Sequence, residues 1–171
     1  LIPFDNQYSQ IDLTRNELQT YWGGENTDYR GARRTTIVFP AGTKAMAEMA
    51  DGSTQNLEQL TVRVSEYTIG ENGPQTMPGE LPTTVGYTWA ANFSADEAQA
   101  LGAKHVRFNK PVYTYTNNFI QAPVGTAVPA GWYDFERTAW IGSDNGRVVQ
   151  ILSIDAGQAV LRITEADRAA T

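Results

Sequence analysis

The chain has 171 residues, 41% of them apolar and 19% charged, and carries a net charge of −6 with a sequence pI near 4.7. That length fits one domain whose core needs no metal or disulfide staple, and the acidity argues against a nucleic-acid backbone or an anionic membrane surface as partner. There is no cysteine, which excludes disulfides, thiolate nucleophiles and cysteine-based metal sites.

No run of about 18 apolar residues occurs, so no membrane insertion is expected. The first residues, L-I-P-F-D-N-Q-Y, lack Met and have neither the basic region nor the apolar core of a signal peptide. The chain is therefore expected to be a piece of a larger one. Residues 1–31 form the least regular stretch. Ile11 to Leu18 fits one helical turn or a short strand, and Trp22-Gly23-Gly24 interrupts any regular element. This stretch is expected to be an arm, packed back through Phe4, Tyr8, Tyr21 and Trp22, or a linker.

Arg33 to Phe39 is rich in β-branched residues and predicts a strand that Pro40-Ala41-Gly42-Thr43 ends in a turn. Lys44 to Ala50 fits a loop, a helical turn or a strand. Leu57 to Ile69 alternates with period two, placing Leu60, Val62 and Val64 inward; Glu66 breaks the alternation, where a bulge is expected. Residues 70–82 hold three glycines and three prolines and predict a long loop fastened by Met77 and Leu81. Thr84 to Asn92 predicts a strand. Ser94 as N-cap and Glu97 at N3 match a capping box, so a short helix is expected over 95–101, stopped by Gly102. His105 to Thr116 reads as two strand pieces parted at Pro111.

Val124 to Leu152 reads as two consecutive hairpins. It carries Trp132, Tyr133 and Trp140, with Asp144-Asn145-Gly146 as a tight turn. Asp155 to Gln158 turns the chain into a last strand. These signals predict about eight to ten short strands and one short helix, an all-β antiparallel β-sandwich. The expected division is an arm or linker over 1–31, a single sandwich domain over 32–165 and a tail over 166–171.

Several runs resemble segments of very large bacterial RHS/YD-repeat proteins. They are V-R-V-S-E-Y-T-I-G-E-N-G-P-Q-T-M-P-G-E-L-P at 62–82, Y-T-W-A-A-N-F-S-A-D-E-A at 87–98, P-V-G-T-A-V-P-A-G-W-Y-D at 123–134 and W-I-G-S-D-N-G-R-V-V-Q-I-L at 140–152. In those proteins the segment lies ahead of the repeat shell and is similar to a ZU5-like β-sandwich; F-P-A-G-T at 39–43 resembles a turn of ZU5 domains. The resemblance covers roughly residues 33–154. It implies a secreted or cell-surface bacterial protein, with other domains of the same large chain as partners and glycan or protein contact as a further role. It implies no cofactor and brings no catalytic residues.

Each candidate chemistry has a structural counterpart. Some ZU5 domains cleave themselves at a His-Phe-Ser site; here Asn92, Phe93 and Ser94 stand in its place, the His is missing and Ser94 is explained as a cap. His105 is the sole histidine, and no G-x-S-x-G surrounds a nucleophile. Glu66, Glu71, Glu80, Asp96, Glu97, Asp134 and Glu136 supply carboxylates, but a glycosidase needs two about 5 to 9.5 Å apart across a cleft. Asp144-Asn145-Gly146 lacks the spacing of a calcium loop, so no metal site is expected. Lys110 lies among Asn109, Asn117 and Asn118 without the acid that a Lys–Asn crosslink needs nearby. Trp89, Trp132, Tyr133 and Trp140 serve either the core or a sugar-stacking platform. Trp132 and Tyr133 are adjacent, so one of them faces outward from a strand, and with Trp140 they form the candidate ligand-binding set. The expectation is a non-catalytic structural or interaction module; the alternative is a self-processing or carbohydrate-active enzyme.

Overall fold

The computed structural model describes residues 6–70, 72–80 and 87–164. Among these residues fifteen strands follow in chain order. The first eight are β1 (Ser9–Asp12), β2 (Gln19–Trp22), β3 (Asn26–Asp28), β4 (Gly31–Arg33), β5 (Thr35–Phe39), β6 (Ala45–Glu48), β7 (Thr54–Leu57) and β8 (Gln59–Glu66). After β9 (Ala91–Ala95) comes the helix α1 (Asp96–Ala100), then β10 (His105–Phe108), β11 (Tyr113–Thr116), β12 (Ala127–Asp134), β13 (Ala139–Arg147), β14 (Gln150–Asp155) and β15 (Gln158–Arg162). All the ladders are antiparallel. The fold is all-β with one short helix, as the strand signals predict.

The chain divides into two compact units. One holds the described residues up to Thr76 and from Tyr87 to Asn117; the other holds those from Met77 to Glu80 and from Asn118 onward. The first unit contains three three-stranded sheets, ordered β1-β8-β9, β10-β6-β7 and β11-β5-β2, and the small ladder β3-β4. Their inner faces share one core that includes Ile11, Tyr21, Ile37, Phe39, Leu60, Val62 and Val64. Leu60, Val62 and Val64 point inward as the alternation predicts. The second unit consists of the hairpins β12–β13 and β14–β15. Among its described residues only Val148 is buried.

This division runs differently from the expected arm over 1–31 and single domain over 32–165. β1 pairs with β8, Ile11 opposite Leu60, and β2 pairs with β5, Tyr21 opposite Ile37. Ile11, Leu13 and Tyr21 are core side chains, so Ser9–Asp12 and Gln19–Trp22 are strands of the core sheets. Tyr8 and Trp22 stay exposed; Phe4 and the tail over 166–171 lie outside the described residues. Residues 45–48, left open between loop, helix and strand, form β6.

Three local expectations also change. Ser94 does not cap the helix. β9 continues through Ser94 to Ala95, which pairs with Val62 and serves as N-cap without a side-chain bond. Glu97 turns to Thr61 instead, accepting its backbone N–H at 2.7 Å and its hydroxyl at 2.8 Å. The helix does stop at Gly102, at φ +68°. There the N–H groups of Gly102 and Ala103 reach the carbonyls of Gln99 and Ala98, the Schellman pairing. Second, β8 and β9 run in unbroken register through Glu66. No bulge forms there; Glu66 points inward because a buried arginine meets it.

Third, Asp144-Asn145-Gly146 is no turn but part of β13. The register passes from Val128–Gly146 to Ala130–Ser143, so Asp144 and Asn145 together oppose Pro129. Proline has no N–H to give a ladder, which is why the bulge falls there. The two-residue hairpin turn lies at Ala156-Gly157, with φ of +46° and +79°, the pair of positive angles that a type I′ turn requires.

Candidate functional site

The β12–β13 hairpin carries the three aromatic residues singled out from sequence, and its pleat separates them. Tyr133 pairs with Trp140 on one face, and Trp132 pairs with Ile141 on the other. The Tyr133 ring packs edge-on against Trp140 at 5.4 Å and against Phe135 at 5.1 Å. Trp140 donates its indole N–H to the Gly79 carbonyl at 3.1 Å. A Cβ on Gly79 would come within 2.5 Å of the Tyr133 ring, so only glycine allows this approach. Tyr133 and Trp140 thus hold down the loop strand at Gly79, the task expected of Met77 and Leu81. Met77 is half-buried; Leu81 lies outside the described residues.

Trp132 is left on the opposite face with 47% of its surface exposed. The three residues therefore do not make one platform. Asp134 fixes the turn that follows, its carboxylate accepting the N–H groups of Glu136 at 2.9 Å and Arg137 at 3.1 Å. Trp89 is in the first unit, half-buried, with its ring against Phe93 at 6.1 Å.

Asn92, Phe93 and Ser94 lie in the extended strand β9, opposite Ser65, Val64 and Arg63. The Ser94 hydroxyl is buried and has no hydrogen-bond partner among the described residues. Among the described residues no general base accepts a hydrogen bond from it. His105 is exposed on β10 opposite Glu48. Lys110 donates to the Ala41 carbonyl at 2.8 Å. The Asn109 side chain accepts the Lys44 N–H at 2.7 Å. These two residues pin the 40–44 turn. Among the described residues, no three His, Asp or Glu side chains are grouped to hold a metal ion.

The cluster that sequence reading missed is built on Arg33, 1% exposed at the end of β4. Its guanidinium makes two parallel bonds to Asp28, each 2.9 Å, and donates through Nε to Glu66 at 2.8 Å. Asn26 donates to the other Glu66 oxygen at 3.0 Å, and the Thr68 hydroxyl bonds to Glu66 as well. Arg30 bonds to Asp28 and to the Thr68 carbonyl. The bonds from Arg33 hold the Asp28 carboxyl well below the usual carboxylate range, and the Arg30 backbone N–H adds to this. The adjoining cavity, lined by Tyr21, Gly23, Asn26, Arg33 and Glu66, measures about 10 Å³, room for one water. The cluster ties the β3–β4 ladder to the end of β8. Its signals in the sequence are the break in alternation at Glu66 and the arginines at 30, 33 and 34 in a chain with few charges.

Other carboxylates are likewise engaged. Asp96 pairs with Arg63 at 2.9 Å, and Glu48 pairs with Arg107, which holds the Glu48 carboxyl below its ordinary range. No protein-family model, curated protein or solved structure matches this chain.

Proposed function

We propose that the chain is a non-catalytic structural module of a large bacterial protein of RHS type, acting outside the cell, and that its second unit is covered by another domain of the same protein. One observation carries this reading. The second unit leaves Val128, Trp132, Phe135, Ile151, Ile154 and Val160 exposed, each beyond a third of its surface. Two-stranded hairpins are marginal alone, and this many apolar side chains left exposed on their faces call for a covering surface. The resemblance of the runs at 62–82, 87–98, 123–134 and 140–152 to RHS proteins supports the parentage. The non-catalytic half is supported by the engagement of Asp28, Glu66, Asp96 and Glu97 with arginine or threonine.

The test is amide hydrogen exchange on this chain alone and on a chain extended by its native flanking sequence. β12 to β15 are expected to exchange rapidly alone and to gain protection when extended. Equal protection in both would overturn the reading. Intact mass supplies the second arm: one species at 18.8 kDa is expected, and a clipped chain or the loss of one ammonia would point to self-processing instead.

A further inference from the structure

The outer face of the β11-β5-β2 sheet differs from the rest of the surface. Alternation sends Tyr21, Ile37 and Phe39 into the core, so Thr20, Trp22, Thr36, Val38, Tyr113 and Tyr115 point away from it. They form two cross-strand rows. Tyr115 lies opposite Thr36, which lies opposite Trp22; Tyr113 lies opposite Val38, which lies opposite Thr20. Strand spacing puts the backbones of Tyr115 and Trp22 about 10 Å apart, and Tyr113 follows about 7 Å along the edge strand from Tyr115. Trp22, Tyr113 and Tyr115 are 56%, 50% and 45% exposed. None of the six outward positions is charged, on a chain of net charge −6.

We infer that this face binds a neutral glycan chain. A pyranose ring presents an apolar C–H face and a rim of hydroxyls. Aromatic faces with threonine hydroxyls between them match both features, in the way that mixed aromatic and polar surfaces join an apolar body to a polar edge. The charge balance makes the same selection. A phosphate or sulfate ligand requires a cluster of cations, whereas these rows are continued by a single one, Arg34 opposite Asn117. Tyr and Trp also enrich the cores of protein interfaces; the glycan is favoured here by the hydroxyls of Thr20 and Thr36 standing in the same rows as the rings. The inference supplies a ligand for the non-catalytic reading and uses no residue of the second unit.

The experiment is titration of the purified chain with neutral β-linked hexasaccharides of glucose, mannose and N-acetylglucosamine, with a sulfated glycan as comparison. Binding is expected for at least one neutral hexasaccharide. Trp22→Ala and Tyr115→Ala are each expected to weaken it roughly tenfold or more, since each removes a stacking face. Tyr115→Phe keeps the ring and is expected to keep binding, and Trp132→Ala is expected to leave it unchanged. Melting temperature checks the fold of each variant; if Trp22→Ala unfolds, the Tyr115 pair decides. The inference fails if no neutral hexasaccharide binds at millimolar concentration or only the sulfated glycan binds. It also fails if loss follows Trp132→Ala alone, or if sedimentation shows self-association that Trp22→Ala abolishes.

Discussion

Arg33 is the most deeply buried charged residue among those described. It is buried and satisfied on two sides, by Asp28 from its own ladder and by Glu66 from β8. A buried ion pair gains little over an apolar substitute of the same shape, but removing one partner strands the other in low dielectric. Arg33→Met is therefore expected to cost about 3–5 kcal/mol, because Glu66 is left buried without its guanidinium. Replacing both, with Arg33→Met and Glu66→Leu, is expected to recover most of that loss in urea unfolding. The acid side tests the same geometry. Asp28 titrates lower in the folded chain than in the unfolded one. Its contribution is complete above the unfolded pKa of about 4 and is lost as pH falls through the lowered folded value. Wild-type stability should fall steeply below about pH 4, and Arg33→Met should flatten that slope. An unchanged slope in the variant would assign the acid sensitivity to other carboxylates.

Among the elements, the β14–β15 hairpin shows how turn chemistry and sequence part company. The chain holds an Asn-Gly pair, yet the type I′ geometry falls on Ala156-Gly157. Alanine at positive φ is strained, and asparagine tolerates that region better. Ala156→Asn is expected to stabilise the hairpin by up to about 1 kcal/mol, read as slower amide exchange in β14 and β15. Faster exchange would show that the turn relaxes out of this conformation. The strands with strict alternation, β5 and β8, were legible because burial on one face imposes period two. β1 and β2 were not, because a four-residue strand shows one or two inward side chains, Ile11 in one and Tyr21 in the other, too few for a period to register. The cap at Ser94 failed for a tertiary reason: Glu97 found Thr61 on the neighbouring strand, which local spacing does not encode. The exposed face of β11-β5-β2 was hidden for a similar reason. Trp22 and Tyr115 are 93 positions apart, and only the pairing of both strands with β5 brings them to one face.

At the scale of the molecule, apolar side chains are distributed unevenly. The first unit holds the whole buried cluster, and the second leaves most of its apolar residues in water. Burial sets the cost of a substitution, so equivalent changes in the two units should differ sharply. Leu60 is 1% exposed at the centre of the β1-β8-β9 sheet. Leu60→Ala removes buried methyl groups and leaves a cavity, an expected loss of about 2–5 kcal/mol. Ile154 is 72% exposed on β14. Ile154→Ser is expected to change stability by no more than about 0.5 kcal/mol while improving solubility. Both are measurable by urea unfolding of the isolated chain. If Ile154→Ser costs as much as Leu60→Ala, then β14 is buried in solution, by a second copy or by the chain itself. A near-neutral result means that the isolated chain gains nothing from this apolar surface. It then follows that Ile154 can contribute to stability only where another surface covers it.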